Sequence, residues 1–86
     1  MERHDALILA ILRYTRAQPI NGGHRVPAMA GYEQDVVDYH VHLCVQAGYL
    51  EALDVTSIGD EAPQYIVRRI TWDGHNVLGD FGSPPL

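Results

Sequence analysis

The side chains able to do chemistry are few, and most of them are histidines. Five histidines and one cysteine occur among 86 residues. His40 and Cys44 are four positions apart, so on a helix they share a face and could chelate one metal ion together. His42 cannot join His40, because positions two apart on a helix face different ways. A zinc centre would need further ligands, and His75 on another element is the attractive candidate. The competing reading makes His40 a core histidine bonded to a backbone carbonyl and Cys44 a small buried hydrophobe. It is preferred, so neither a metal nor a cofactor is expected. Nucleophilic and phosphate-loop chemistry fare no better. No serine lies in a Gly-x-Ser-x-Gly elbow, no glycine-rich loop follows a strand, and Cys44 has no cationic neighbour in sequence. The chain is not expected to be an enzyme.

Two aromatic and polar expectations concern packing. His40 and His75 are expected to form a buried polar pair that fixes how the last helix docks, rather than a catalytic dyad. Trp72 is expected to be a core anchor touching Leu7, Ile11 and Leu43.

Positioning these residues requires a few short elements. Leu7, Ile8, Ile11 and Leu12 recur at helical spacing, and Leu9, Ala10 and Tyr14 make the segment apolar almost all round. A central helix from Glu2–Asp5 to Ala17 follows, stopped by Gln18-Pro19. Within Ile20–Tyr32, His24–Pro27 reads as a short edge strand. Glu33–Ala47 is the second helix, with Gly48 where a left-handed cap belongs. Its apolar arc holds Val36, Val37, His40, Val41, Leu43, Cys44, Val45 and Ala47; Asp35, Asp38, Tyr39, His42 and Gln46 take the other side. Leu50–Ile58 and Tyr65–Thr71 read as strands of a hairpin with a long projecting turn. A short helix, Trp72–Leu78, is entered through Thr71 or Asp73. Helix, weak strand, helix, hairpin, helix is the outline of a winged-helix-like α+β domain. The helix that should precede the main one is degenerate, confined to Pro27–Tyr32. Residues 1–81 form one domain and 82–86 a flexible tail.

The runs YHVHLCVQAGYLEA (Tyr39–Ala52) and ITWDGH (Ile70–His75), with the opening MERHDALILAIL, resemble a family of small bacterial and phage proteins classed as a domain of unknown function. The resemblance covers nearly the whole chain, and the Thr-Trp-Asp-Gly-His block is its specific part. It implies a winged-helix-like fold and a place in bacteria or their mobile elements, but no established activity.

Charge bears most directly on function. Six arginines and no lysine stand against eleven acids, for a net −5. Between Val26 and Val67 there is no arginine, while Glu33, Asp35, Asp38, Glu51, Asp54, Asp60 and Glu61 make that block −7; the remainder is +2. A DNA-reading winged helix uses its main helix and wing on phosphates, and here both are acidic. The expected function is therefore a non-enzymatic regulatory or protein-binding module. Its face would comprise Asp35, Asp38, Tyr39, Val41, His42, Val45, Gln46, Asp60 and Glu61, with a protein partner, a homodimer along the Val41/Val45 edge, or both. The alternative is a DNA-binding transcriptional regulator using Arg13, Arg16, Arg25, Arg68 and Arg69. Arg68 and Arg69, adjacent on a strand, should face opposite ways, and one should pair with Glu51 or Asp54. A further alternative is an acidic phage or mobile-element protein that inhibits a host nucleic-acid-binding protein. A single cysteine fits a reducing cytoplasm. The longest apolar run, Ala6–Leu12, is too short to span a membrane.

Overall fold

Helix α1 spans Asp5–Arg16 and lies at the centre, packed against the second helix, the second strand and the last helix. Leu7, Ile11, Leu12 and Thr15 are buried, and Ile8, Leu9, Ala10 and Tyr14 are half-buried, as an almost uniformly apolar helix requires. The structure, a computed structural model, describes residues 2–19 and 22–79. The tail expected over 82–86 lies outside the described residues.

Among the described residues between α1 and the next helix there is no helical turn, so the degenerate helix expected within Pro27–Tyr32 is not formed. His24 instead exchanges two backbone hydrogen bonds with Val67, so the expected edge strand shrinks to a single bridge. Ala30 and Gly31, both at positive φ, then turn the chain, closed by Tyr32 N–H donating to the Met29 carbonyl. Helix α2 spans Gln34–Gln46. It ends as the Gly48 signal predicts: Tyr49 N–H donates to the Cys44 carbonyl at 2.8 Å, and Gly48 N–H to Val45 at 3.0 Å. Gly48 sits at φ +81°, a conformation that costs a side-chain-bearing residue more.

Strands β1 (Leu50–Asp54) and β2 (Tyr65–Ile70) form an antiparallel hairpin. β1 stops four residues before the expected end because its acids turn the backbone. Asp54 accepts from Thr56 N–H at 2.9 Å, and Asp60 accepts from Ser57 N–H at 2.7 Å. Helix α3 spans Trp72–Val77, and its N-cap is Thr71, whose hydroxyl accepts from Gly74 N–H at 3.1 Å.

The core comprises Leu7, Ile11, Leu12, Val26, Val37, Val41, Cys44, Leu50 and Val67. Trp72 is not part of it; its side chain is 70% exposed. Gly74 takes the inward position instead: a Cβ there would lie 2.4 Å from the Tyr49 carbonyl oxygen and 2.6 Å from the Ile70 side chain. Two helical positions amount to about 200°, so a helix that presses residue 74 inward turns residue 72 outward. Among the described residues the arrangement is α+β, three helices and a hairpin, compatible with a winged-helix-like domain. Among the described residues no helix is long and apolar enough to cross a membrane.

Candidate functional site

The face of α2 expected to meet a partner divides when placed in the fold. Asp35 and Gln46 are exposed at its two ends, but Asp38 and Val41 are buried at 8% and 4% exposure. The hairpin itself covers the middle of the helix. Gln64, just before β2, donates to Asp38 at 2.9 Å; Gln34 does so at 2.9 Å, and Arg25 approaches at 3.5 Å. Arg25 also bonds the Gln64 side chain, and Gln34 reaches the Val26 carbonyl at 2.8 Å. A buried carboxylate needs such partners. Asp38 therefore ties α2 to the 24–28 segment and to the hairpin, and is not a contact for another molecule.

Val41 likewise packs inward, and Val45 is half-buried against the core, so the expected Val41/Val45 edge is largely covered within the chain. Tyr39 and His42 are half-buried. His42 Nδ1 and the Tyr65 hydroxyl share a hydrogen bond of 2.7 Å, with the rings stacked 5.7 Å apart. Loss of water, and then the nearby Asp54 charge, push the Tyr65 hydroxyl above the usual tyrosine range. Asp54 shifts the other way: its bonds from Thr56 hold its carboxyl below the usual carboxylate range.

What stays open is the hairpin loop. Every residue from Leu53 to Glu61 is exposed, including Asp60 and Glu61 of the expected face. Leu53 is 58% exposed, Val55 40% and Ile58 fully, interleaved with Asp54, Asp60 and Glu61. The sequence reading continues the strand to Ile58 and so does not single out Val55 and Ile58 as loop residues; the earlier break is signalled by Asp54-Val-Thr-Ser, turn-forming residues that end the strand.

The five arginines offered as DNA contacts fall into three places. Arg13 is exposed on α1, and Arg25 joins the Asp38 network. Arg16, Arg68 and Arg69 come together around one cleft, which His75, Thr15 and Gln18 also line. The expectation that Arg68 and Arg69 face opposite ways is overturned by a β-bulge. Glu51 pairs with Arg69 and Ala52 with Val67, which leaves Arg68 without an opposite residue. A bulge re-aims the side chain it adds, and both arginines are exposed toward the same cleft. Arg69 also meets Glu51 at 3.6 Å, the cross-strand pair that sequence reasoning expects.

His40 and His75 do not make the expected pair. His40 is fully buried; its Nδ1 donates to the Val36 carbonyl at 2.8 Å and its Nε2 accepts from His4 N–H at 2.9 Å. With both ring nitrogens engaged at the N-terminal end of α1, it has none for His75, which borders the cleft at the other end. The backbone carbonyl bond is the one anticipated for a core histidine. Cys44 is a buried hydrophobe whose thiol burial pushes up to about 12, far from a reactive thiolate. Among the described residues no three His, Cys, Asp or Glu side chains are grouped to hold a metal ion.

Fold and surface together define a small α+β domain with an acidic, apolar-tipped hairpin loop and a separate arginine cleft. A profile for the family described as hypothetical protein (DUF2513) matches residues 2–84, and the chain belongs to that family. It is 34% identical over 79 residues to an uncharacterized protein of Haemophilus influenzae, an alignment covering 91% of this chain and 65% of that relative. No solved structure matches.

The two blocks that carry the family resemblance meet in space. Thr71 donates its hydroxyl to the Gly48 carbonyl and its N–H to Tyr49, while Gly74 lies against Tyr49. The Ala-Gly-Tyr-Leu and Thr-Trp-Asp-Gly-His runs are thus two sides of one joint, in which α3 docks onto the end of α2 and the start of β1.

Proposed function

We propose that this chain is a non-enzymatic, cytoplasmic protein-binding or regulatory module whose contact surface is the hairpin loop 53–61. The observation that carries the reading is the full exposure of Ile58, beside Leu53 and Val55, on a loop braced by its own Asp54–Thr56 and Ser57–Asp60 turns. Burying each such side chain against a partner would contribute about 1.5–3 kcal/mol. A braced loop also loses less entropy on binding than a floppy one.

The partner is a protein with an apolar pocket rimmed by basic residues, because Asp54, Asp60 and Glu61 surround the apolar tip. Two copies joined loop to loop would bring like charges together, which disfavours a homodimer through this surface. A protein built to hold nucleic acid offers the required basic rim, so inhibition of such a host protein by a phage or mobile-element product is a specific form of this reading. Direct DNA reading is the weaker form, since the hairpin covers the middle of α2 and the loop is acidic.

A photo-cross-linking amino acid at position 58, introduced in the bacterium that encodes the chain, tests the proposal. One discrete adduct with another protein is expected, competed by the unmodified chain but not by Ile58→Asp. No competed adduct, or an adduct with a second copy, defeats it.

A further inference from the structure

The arginine cleft has no role in the loop reading and stands independently of it. We propose that the cleft between the last turn of α1, the bulged end of β2 and α3 binds a phosphomonoester, such as the 5′-phosphate of a mononucleotide. Arg16, Arg68 and Arg69 line it from two elements, with His75 from a third. Guanidinium groups present planar pairs of N–H donors that match phosphate oxygens; Thr15 and Gln18 also line the cleft, with their side chains donating to the Ile11 and Tyr14 carbonyls.

The bulge is the device that builds the site. A regular strand would send Arg68 and Arg69 to opposite faces; here the extra residue is Arg68, and both reach one cleft. Among the described residues, Glu51 pairs with Arg69 at 3.6 Å, with both side chains about half exposed, and such a pair yields readily to a dianion. Arg16 and His75 hold further partners of their own, so an incoming phosphate competes for them and gains most from Arg68 and Arg69.

Size and surroundings select a terminal phosphate over a duplex backbone. The cleft volume is about 240 Å³, near the small end of ligand pockets and enough for a phosphate with part of a sugar. Arg16, Arg68 and Arg69 line this one cleft, with Arg13 and Arg25 elsewhere, so the cationic surface is local, and a net charge of −5 disfavours a long duplex.

Titration calorimetry with AMP, inorganic phosphate, and dithymidine with or without a 5′-phosphate reads the site directly. AMP and 5′-phosphorylated dithymidine are expected to bind saturably, and the 5′-hydroxyl form at least about tenfold more weakly. Inorganic phosphate competing with AMP places the recognition on the phosphate. Arg68→Gln/Arg69→Gln, both exposed and spared by the fold, is expected to weaken AMP by at least about tenfold, Arg68→Lys/Arg69→Lys by less, and Arg3→Gln not at all. Ile58→Asp should bind AMP like the unmodified chain, which separates this site from the loop. Absence of saturable binding by every phosphate probe, or equal binding by the double glutamine variant, overturns the proposal. So does a short duplex that outcompetes AMP and weakens steeply with salt, which would reassign the arginines to backbone contact.

Discussion

At its base the hairpin is enclosed by helices: Leu50 and Val67 are buried, Ile70 packs on Gly74, and Thr71 bonds across to Gly48. At its tip the same two strands run out into a loop where Leu53, Val55 and Ile58 face solvent and the order comes from short side-chain-to-backbone bonds. The base is held by packing that any substitution must disturb. The tip is held locally, so its side chains are spared from maintaining the fold. A surface of that kind is where a small domain can place recognition without risking its stability.

The largest test of this contrast lies at the base. Gly74→Ala should cost about 2–4 kcal/mol in urea unfolding, because the new methyl would meet the Tyr49 carbonyl and Ile70 at distances that force α3 to move. An unchanged midpoint would mean that α3 does not hold the base. Val67→Ala should cost about 2 kcal/mol by the same measurement, since Val67 is fully buried between the helices and the His24 bridge.

Thr71→Val removes the cap on α3 and the bond to Gly48, with an expected loss of about 1 kcal/mol. At the tip, Ile58→Ser should stay within about 0.5 kcal/mol of the parent, and a larger loss would erase the distinction between the two ends. The smallest effect is set by pH. The Asp54 carboxyl sits below its ordinary range, so the bracing it gives Thr56 is present above the unfolded value and lost as pH falls through the folded one. Amide exchange at Thr56, corrected for intrinsic rates, should accelerate in that acid window while the Val67 amide, bonded to His24, stays protected.

Much of the framework was legible in residue order. Apolar spacing marks α1 and α2, and Gly48 the end of α2; between Thr71 and Asp73 as the entry to α3 the structure takes Thr71, and among the cross-strand pairs left open it forms Glu51–Arg69. The site residues were harder to place. Asp38 looked like a solvent-side acid because its helical position says nothing about Gln64 and Arg25 arriving from elsewhere to cover it. His40 is a core histidine with a carbonyl partner, as one sequence reading has it, but its second partner is the backbone of His4, 36 positions away, and not the expected His75. The size of Trp72 suggests an inward position, but Gly74, two residues on and on the opposite side of α3, carries the contact.

By itself, then, the sequence determined what depends on neighbours along the chain: helical faces, caps, turns, and a −7 central block whose exposed acids include those on the loop. Periodicity and turn chemistry act over a few residues, so they can be read from order alone. Tertiary structure decided which faces are covered and which cations meet. Covering α2 took the hairpin end, and gathering Arg16, Arg68 and Arg69 took one extra residue in β2 beside the last turn of α1. Both depend on where separate elements come to rest against each other, a balance of packing that no local pattern encodes.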